Sequence, residues 1–316
     1  MYRAVRRNGR VRRSLGAVAL VAGVAFAIAG CSSSASAGPA SSATKAAKGP
    51  PASIPHGSGD VNVLYAGSLV SLMENQVSPA FHDATGYTFK GYGAGSQALA
   101  ADIKGKVKQA DVFISASPTV NAGLEGSSNG DWVSWYATFA NSPLVIGYNP
   151  NSSFVKQLKS KPWYDVVTES GFKLGSTDPQ TDPKGALAAQ ALKDQGMKQG
   201  DSALTALATS NPNIQTEESM VGQLQAGQLD AGFFYASEAK AANIPTVPLK
   251  GESLKAVYTI TVVNNAPDAS GAAAFVAYLL GKGGQGILKK NAYDLTTPPE
   301  VSGSGVPKTL KSVLGR

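Results

Sequence analysis

Small residues cluster at three points where an apolar run ends, Ala66-Gly67-Ser68, Gly93-Ala94-Gly95-Ser96 and Ser115-Ala116-Ser117, and in the first two glycine and serine stand together. Each follows a stretch that reads as a β-strand and opens one that reads as helical. Ligands of open α/β sheets sit at the carboxyl ends of strands. A helix beginning there leaves N–H groups without intrahelical acceptors at the positive end of its dipole, which suits an anion. Glycine lets the backbone approach the ligand, and a serine N-cap adds a hydroxyl donor. Ordinary turn chemistry uses the same residues, but Ser68 and Ser96 lie 28 residues apart on successive βα units. That pairing favours a bound anion.

Other chemistry is thin. A hydrolase using Ser68 or Ser96 as nucleophile would need a base. Neither histidine, His56 or His82, stands near these serines in sequence, and no G-x-S-x-G elbow surrounds them. The one cysteine excludes a disulfide framework, a CxxC pair and a cysteine-based zinc site. Asp178-Pro179 and Asp182-Pro183 read first as turns. Lys104, Lys106 and Lys108 read as a solvated loop face, and Gly283-Gly284-Gln285-Gly286 as a helix start. The chain is expected to bind rather than to catalyse, and without a cofactor.

The net charge of +7 is a property of the leader. Six arginines fall within residues 1–30, which hold no acid. Taking them from the 28 lysines and arginines leaves 22 against 21 acidic residues, and the only later arginine is Arg316. A surface built to grip a phosphate backbone would not discard arginine, so nucleic acid is excluded as a partner.

The elements that must position the serines follow an α/β alternation. Strands are expected at Val61–Tyr65, Tyr87–Tyr92, Ala110–Ser115, Leu144–Tyr148, Phe172–Gly175, Ala231–Tyr235 and Tyr258–Val263. Helices are expected at Ser68–Phe81 (cut short by Pro79), Gln97–Lys104, Gly185–Gln195, Val221–Ala226, Gly271–Leu280 and Gly284–Asn291. Trp132, Trp135 and Tyr136 are expected to pack a core or cover a junction, and Trp163-Tyr164 to start a packed helix.

Ahead of this part, residues 1–13 are basic and Leu15–Gly30 is an apolar run of sixteen residues ending at Cys31. That is short for a membrane span and long enough for a secretory signal. Ile28-Ala29-Gly30-Cys31 resembles a bacterial lipobox, which implies cleavage before Cys31 and lipidation of its sulfur. Arg12-Arg13 also permits a twin-arginine export signal. Residues 32–59, made of Ser, Ala, Gly, Pro and a few Lys, have almost nothing to bury and read as a disordered tether.

Six segments then occur in order: VNVLYAGSL (Val61–Leu69), Gly95-Ser96, ADVFISAS (Ala110–Ser117), SPLVIGYNP (Ser142–Pro150), GSTDPQTDPKG (Gly175–Gly185) and LDAGFFYASEA (Leu229–Ala239). Together they resemble the periplasmic substrate-binding proteins of molybdate/tungstate ABC transporters, in particular the archaeal-type branch. The resemblance implies a two-lobe type II periplasmic-binding-protein clamshell, each lobe a mixed sheet flanked by helices. Lobe one would comprise 60–142 plus 256–316, and lobe two 143–255, with the ligand in the cleft between them.

The resemblance also implies the contacts. Gly67 and Ser68 would offer a backbone N–H and a hydroxyl, and Ser96 a second hydroxyl. Asp182-Pro183-Lys184 would give backbone N–H donors and the Asp182 carboxylate, and Tyr235 a hydroxyl. Counting back from Tyr235 places the branch's glutamate at Glu217, with Glu218 as the neighbouring choice. Asp182 and Glu217 together would let the oxyanion's metal expand from four to six oxygen ligands. Phe234 and Gln215–Ser219 depart from the branch's pattern.

The resulting expectation is a lipid-anchored monomer on the outer face of the cell membrane. It would capture molybdate or tungstate for an ABC permease and its ATPase. Sulfate, thiosulfate or another small anion is the alternative cargo.

Overall fold

β1 (Asp60–Ala66) is buried on both faces from Val61 to Ala66 apart from a half-buried Asn62, the pattern of a strand covered by helices on each side. It and its neighbours belong to a computed structural model that describes residues 54–316. The leader, Cys31 and residues 32–53 of the expected tether lie outside the described residues.

The remaining strands are β2 (Thr88–Ala94), β3 (Val112–Ser115), β4 (Trp135–Tyr148), β5 (Leu174–Thr177), β6 (Ile214–Gln215), β7 (Ala231–Tyr235), β8 (Thr246–Pro248), β9 (Lys255–Val262) and β10 (Asp294–Gly303). The helices are α1 (Val70–Leu72), α2 (Ser78–Thr85), α3 (Ser96–Lys104), α4 (Pro118–Ala122), α5 (Val155–Ser160), α6 (Pro183–Gln199), α7 (Ser202–Ser210), α8 (Glu217–Gln225), α9 (Ala236–Ala241), α10 (Ala269–Leu280) and α11 (Lys282–Lys290).

The strands form one curled sheet in the order β2-β1-β3-β9-β4-β7-β5-β6, with β8 and β10 also paired to β4. β1 is parallel to β2 and β3, and β5 is parallel to β6 and β7. β4 joins the two parallel sets. Its residues Ala137–Pro143 pair antiparallel with β9, and Leu144–Tyr148 pair antiparallel with β7. The change of partner falls between Pro143 and Leu144, and it aligns the carboxyl ends of β1 and β2 with those of β5, β6 and β7.

Helices cover both faces. α10 is buried all round; its Phe275 meets Phe81 edge-on at 5.1 Å between ring centroids. Asp111, fully buried, fixes three elements at once. Its carboxylate accepts from the N–H of Asn62 at 2.7 Å, the Asn62 amide at 3.0 Å and the N–H of Asp268 at 2.7 Å. Smaller apolar clusters close the outer faces, one around Leu99, Phe113 and Leu124, another around Met220, Phe234 and Ile244.

Several expected boundaries move for identifiable reasons. The helical run after β1 does not stop at Pro79: a wide π turn over Met73–Val77 precedes it, and the proline then occupies the first turn of α2, where a missing N–H costs little. The expected helix at Gly185 begins at Pro183, again a proline in the first turn. β4 begins nine residues before the expected Leu144, at Trp135, so Trp135 and Tyr136 are strand residues. Trp163 opens only a short 3-10 turn, and its indole N–H donates to the Lys250 carbonyl at 3.1 Å. Among the described residues no helix is long and apolar enough to cross a membrane.

Candidate functional site

The carboxyl ends of β1, β2, β5, β6 and β7 deliver the residues in question to one place. β1 runs into Gly67-Ser68, and β2 into Gly95 and the start of α3. β5 leads to Asp182 and α6, β6 to Glu217 and α8, and β7 ends on Tyr235 before α9.

The wall formed after β1 and β2 is rich in donors. Ala66 and Gly95, not the serines, hold the N-cap positions. Ser68 and Ser96 therefore lie inside the first turns, fully buried, where their own N–H groups lack intrahelical acceptors. Ser96 Oγ accepts from the N–H of Ala116 at 3.1 Å, leaving its hydrogen free to donate elsewhere. Ser68 Oγ and Tyr258 Oη share one hydrogen bond at 3.0 Å. One of the two hydroxyl hydrogens is spent there; if Tyr258 donates, Ser68 keeps its own.

The opposite wall is different, and it corrects one expectation. Asp182-Pro183-Lys184 has no N–H to spare. Asp182 donates its N–H to the Asp178 carbonyl at 3.0 Å, Pro183 has none, and the N–H of Lys184 is taken by Asp182 Oδ1 at 2.8 Å as an N-cap. Asp182 and Glu217 both line the cleft, so this wall presents carboxylates instead.

Lys184 Nζ, wholly buried, donates to both Glu238 oxygens at 2.8 and 2.9 Å and lies 2.9 Å from Glu217 Oε1. No hydrogen bond is directed at either Glu217 oxygen, and the Tyr235 hydroxyl likewise has no partner among the described residues. Glu217 Oε1 has the lysine charge beside it; buried polar atoms are ordinarily satisfied, so Glu217 Oε2 and the Tyr235 hydroxyl are the two oxygens left for another partner to meet.

The two walls are in contact. A Cβ on Gly67 would collide with Glu217 Oε2, and one on Gly95 would strike the Thr181 carbonyl and come within 3.2 Å of Asp182 Cβ. The N–H of Ala98 donates across to the Thr181 carbonyl at 3.3 Å. A cleft of about 580 Å3 opens beside these contacts, lined by Tyr92, Gly95, Thr181, Asp182, Glu217 and Glu218. Glu217 is buried within it, while Glu218 is exposed at its rim.

Burial dominates the electrostatics. It raises the pKa of Asp182 and Glu238 and raises that of Glu217 well above the ordinary carboxylate value; Lys184 opposes the rise in each case. Burial alone would lower the pKa of Lys184, but Glu217, Glu238 and Asp182 together reverse it, so the ammonium is held more firmly than usual. Burial likewise lifts the Tyr235 hydroxyl well above its ordinary value, which keeps it protonated and able to donate.

All the expected residues thus meet in one region, Gly67, Ser68 and Ser96 on one wall and Asp182, Pro183, Lys184, Glu217 and Tyr235 on the other. Sequence reasoning missed Glu238, Tyr258 and Tyr293. Glu238 had a signal: three residues after Tyr235, it has capping-box spacing, and its carboxylate accepts from the N–H of Tyr235 at 3.2 Å. Tyr258 stacks edge-on to Tyr235 at 6.1 Å and packs on Tyr293 at 5.4 Å. Nothing local in sequence marks Tyr293, which arrives from the far end of the chain.

Donors on one side and carboxylates on the other suit a ligand with peripheral oxygens and a centre that either takes carboxylate oxygens or carries protons of its own. Among the described residues no group of three or more histidine, cysteine or acidic side chains is arranged to hold a free metal cation.

The profile of the family described as bacterial extracellular solute-binding protein matches residues 61–294. An uncharacterised solute-binding protein of Petrotoga mobilis is 29% identical over 293 residues, spanning 81% of this chain and 90% of that one. The molybdate/tungstate-binding protein WtpA of Thermococcus kodakarensis is 23% identical over 309 residues, spanning 80% and 86%. The periplasmic molybdate-binding protein of Azotobacter vinelandii superposes with a TM-score of 0.61 at 20% identity, covering 75% of this chain and 99% of that one.

Proposed function

The chain belongs to the bacterial extracellular solute-binding proteins and has the two-lobe type II periplasmic-binding fold, and on that premise we propose that it captures molybdate or tungstate for an ABC importer. We read 60–142 plus 256–316 as lobe one and 143–255 as lobe two, a division supported by the change of partner along β4. The ligand lies between the walls described above.

The observation that carries this reading is the pair of inward carboxylates opposite a donor wall. In their ionised forms Asp182 and Glu217 repel a plain tetrahedral dianion. A metal-centred oxyanion accepts donors on its oxygens and hard carboxylate oxygens on its metal, so it satisfies both walls. Hydrogen bonds to a charged ligand contribute roughly 1.5–3 kcal/mol each, so five to seven reach micromolar affinity after association costs. Lys184 is spent on glutamates and is not the ligand's counter-charge.

The same arrangement supports binding rather than turnover. Ser68 has a tyrosine hydroxyl as its neighbour and Ser96 a backbone N–H, and neither is a base. We read Cys31 as the lipid-anchor site, which places the protein outside the cell on the membrane face, with the permease and ATPase as partners.

Thermal unfolding with tungstate, molybdate, sulfate, thiosulfate or phosphate, each added alone, tests the cargo. A ligand at 1,000 times its Kd adds about 4 kcal/mol, a shift of several degrees. Stabilisation by tungstate and molybdate is expected. Stabilisation by sulfate or thiosulfate alone changes the cargo and keeps the scaffold.

A further inference from the structure

Three helices of the second wall start at one point, and each brings a charged residue in its first turns. Asp182 caps α6 and Lys184 follows in its first turn; Glu217 opens α8; Glu238 is the third residue of α9. The Lys184 ammonium stitches them together. It bonds both oxygens of Glu238 and reaches Glu217 Oε1 at 2.9 Å. Its charge is thereby ringed by three carboxylate oxygens, two of them hydrogen-bonded and the third, Glu217 Oε1, an ion-pair contact without a directed hydrogen bond.

The chain of contacts runs further. Glu238 also receives the N–H of Tyr235, the residue whose hydroxyl is unpartnered. At the other end Glu217 lies against Gly67, so closely that no side chain fits between them. Lys184 and Glu238 are buried and do not line the cleft, yet they hold Glu217, which does, and the backbone of Tyr235 behind it.

We propose that Lys184, held by Glu238, is a positioning residue that sets which oxyanion the cleft prefers. It clamps Glu217 against Gly67 with a carboxylate oxygen turned to the ligand's central atom. A molybdenum or tungsten centre takes up that oxygen as an additional ligand; a sulfur centre does not. Discrimination therefore comes from a lysine that never touches the ligand. The inference rests on reading this cleft as the oxyanion site.

The test uses the full chain, K184M and the charge-balanced double variant K184M/E238Q, the last because loss of the lysine alone leaves uncompensated buried carboxylates. Titration with tungstate and with sulfate is read alongside the molybdenum K-edge spectrum of bound molybdate. The double variant is expected to bind tungstate about 30-fold more weakly while sulfate changes less than about threefold. Its molybdate spectrum is expected to regain the strong pre-edge feature of a tetrahedral centre.

Equal losses for both anions with an unchanged spectrum mean a merely structural lysine and overturn the proposal. A tetrahedral spectrum in the unaltered chain overturns it whatever the variants do. If the unaltered chain binds neither molybdate nor tungstate, the cleft reading itself falls; if it binds them and the variants keep its preference, only the role of Lys184 falls.

Discussion

Gly67 and Glu217 meet where the two walls touch, with no space for a side chain on the former: a Cβ there would overlap Glu217 Oε2. One residue follows β1 and the other opens α8, so their contact registers how far the two walls have come together. The glycine is required by close approach, because its backbone conformation is one that other residues adopt.

Gly67→Ala should therefore oppose closure without unfolding either wall. Tungstate affinity is expected to fall about tenfold or more, while the ligand-free melting temperature moves little. Calorimetric titration together with small-angle scattering checks this. An unchanged affinity would show that the contact is not part of the closed, ligand-bound form.

Ser68→Ala and Ser96→Ala each remove a hydroxyl from the donor wall. Each should weaken oxyanion binding about tenfold, roughly 1.4 kcal/mol. Full retention of affinity in both variants would remove the wall from the site.

Glu217→Gln keeps the shape and removes the charge. If the carboxylate oxygen meets the metal, the preference for tungstate over sulfate must change. An identical preference would place Glu217 outside the ligand's reach.

The buried carboxylates also set a pH dependence. Asp182 and Glu217 have folded values above their ordinary 3.8 and 4.5. The folded state thus binds more protons than the unfolded one in the interval above those values, and stability falls as pH rises through it. Their contribution is complete below about pH 4 and is lost as pH passes the raised values. In ligand-free unfolding experiments between pH 4.5 and 8, the unaltered chain should lose stability relative to Glu217→Gln as pH increases. Parallel curves would mean that Glu217 is ordinarily ionised in the fold.

Much of this site was legible because its residues sit where strands give way to helices. The Gly67-Ser68 and Gly95-Ser96 turns are local features, and the apolar run of β7 ends on Tyr235 as its pattern suggests. Glu217 emerged from a count along the chain, and burial separates it from Glu218.

The roles inside the site were less legible, because they depend on which hydrogen bonds the backbone has already made. The N–H groups of Asp182 and Lys184 look available in sequence and are consumed by the Asp178 turn and the helix cap. Lys184 is expected in sequence only as a backbone donor, and its side chain gains a role when Glu238, 54 residues away, is folded onto it. β10 escaped notice for a similar reason: its Pro298-Pro299 pair interrupts the strand pattern, and the ladder with β4 absorbs it as a register shift between Leu295 and Glu300. α7 (Ser202–Ser210), rich in alanine and threonine, has only Leu204 fully buried, too little for a clear apolar stripe.

Isothermal titration of the purified protein with tungstate, then with sulfate, decides whether the cleft is a site for metal-centred oxyanions. One tungstate per chain is expected, with a Kd of about a micromolar or below, and sulfate at least about tenfold weaker. No binding of tungstate or molybdate, or tighter binding of sulfate, would contradict it.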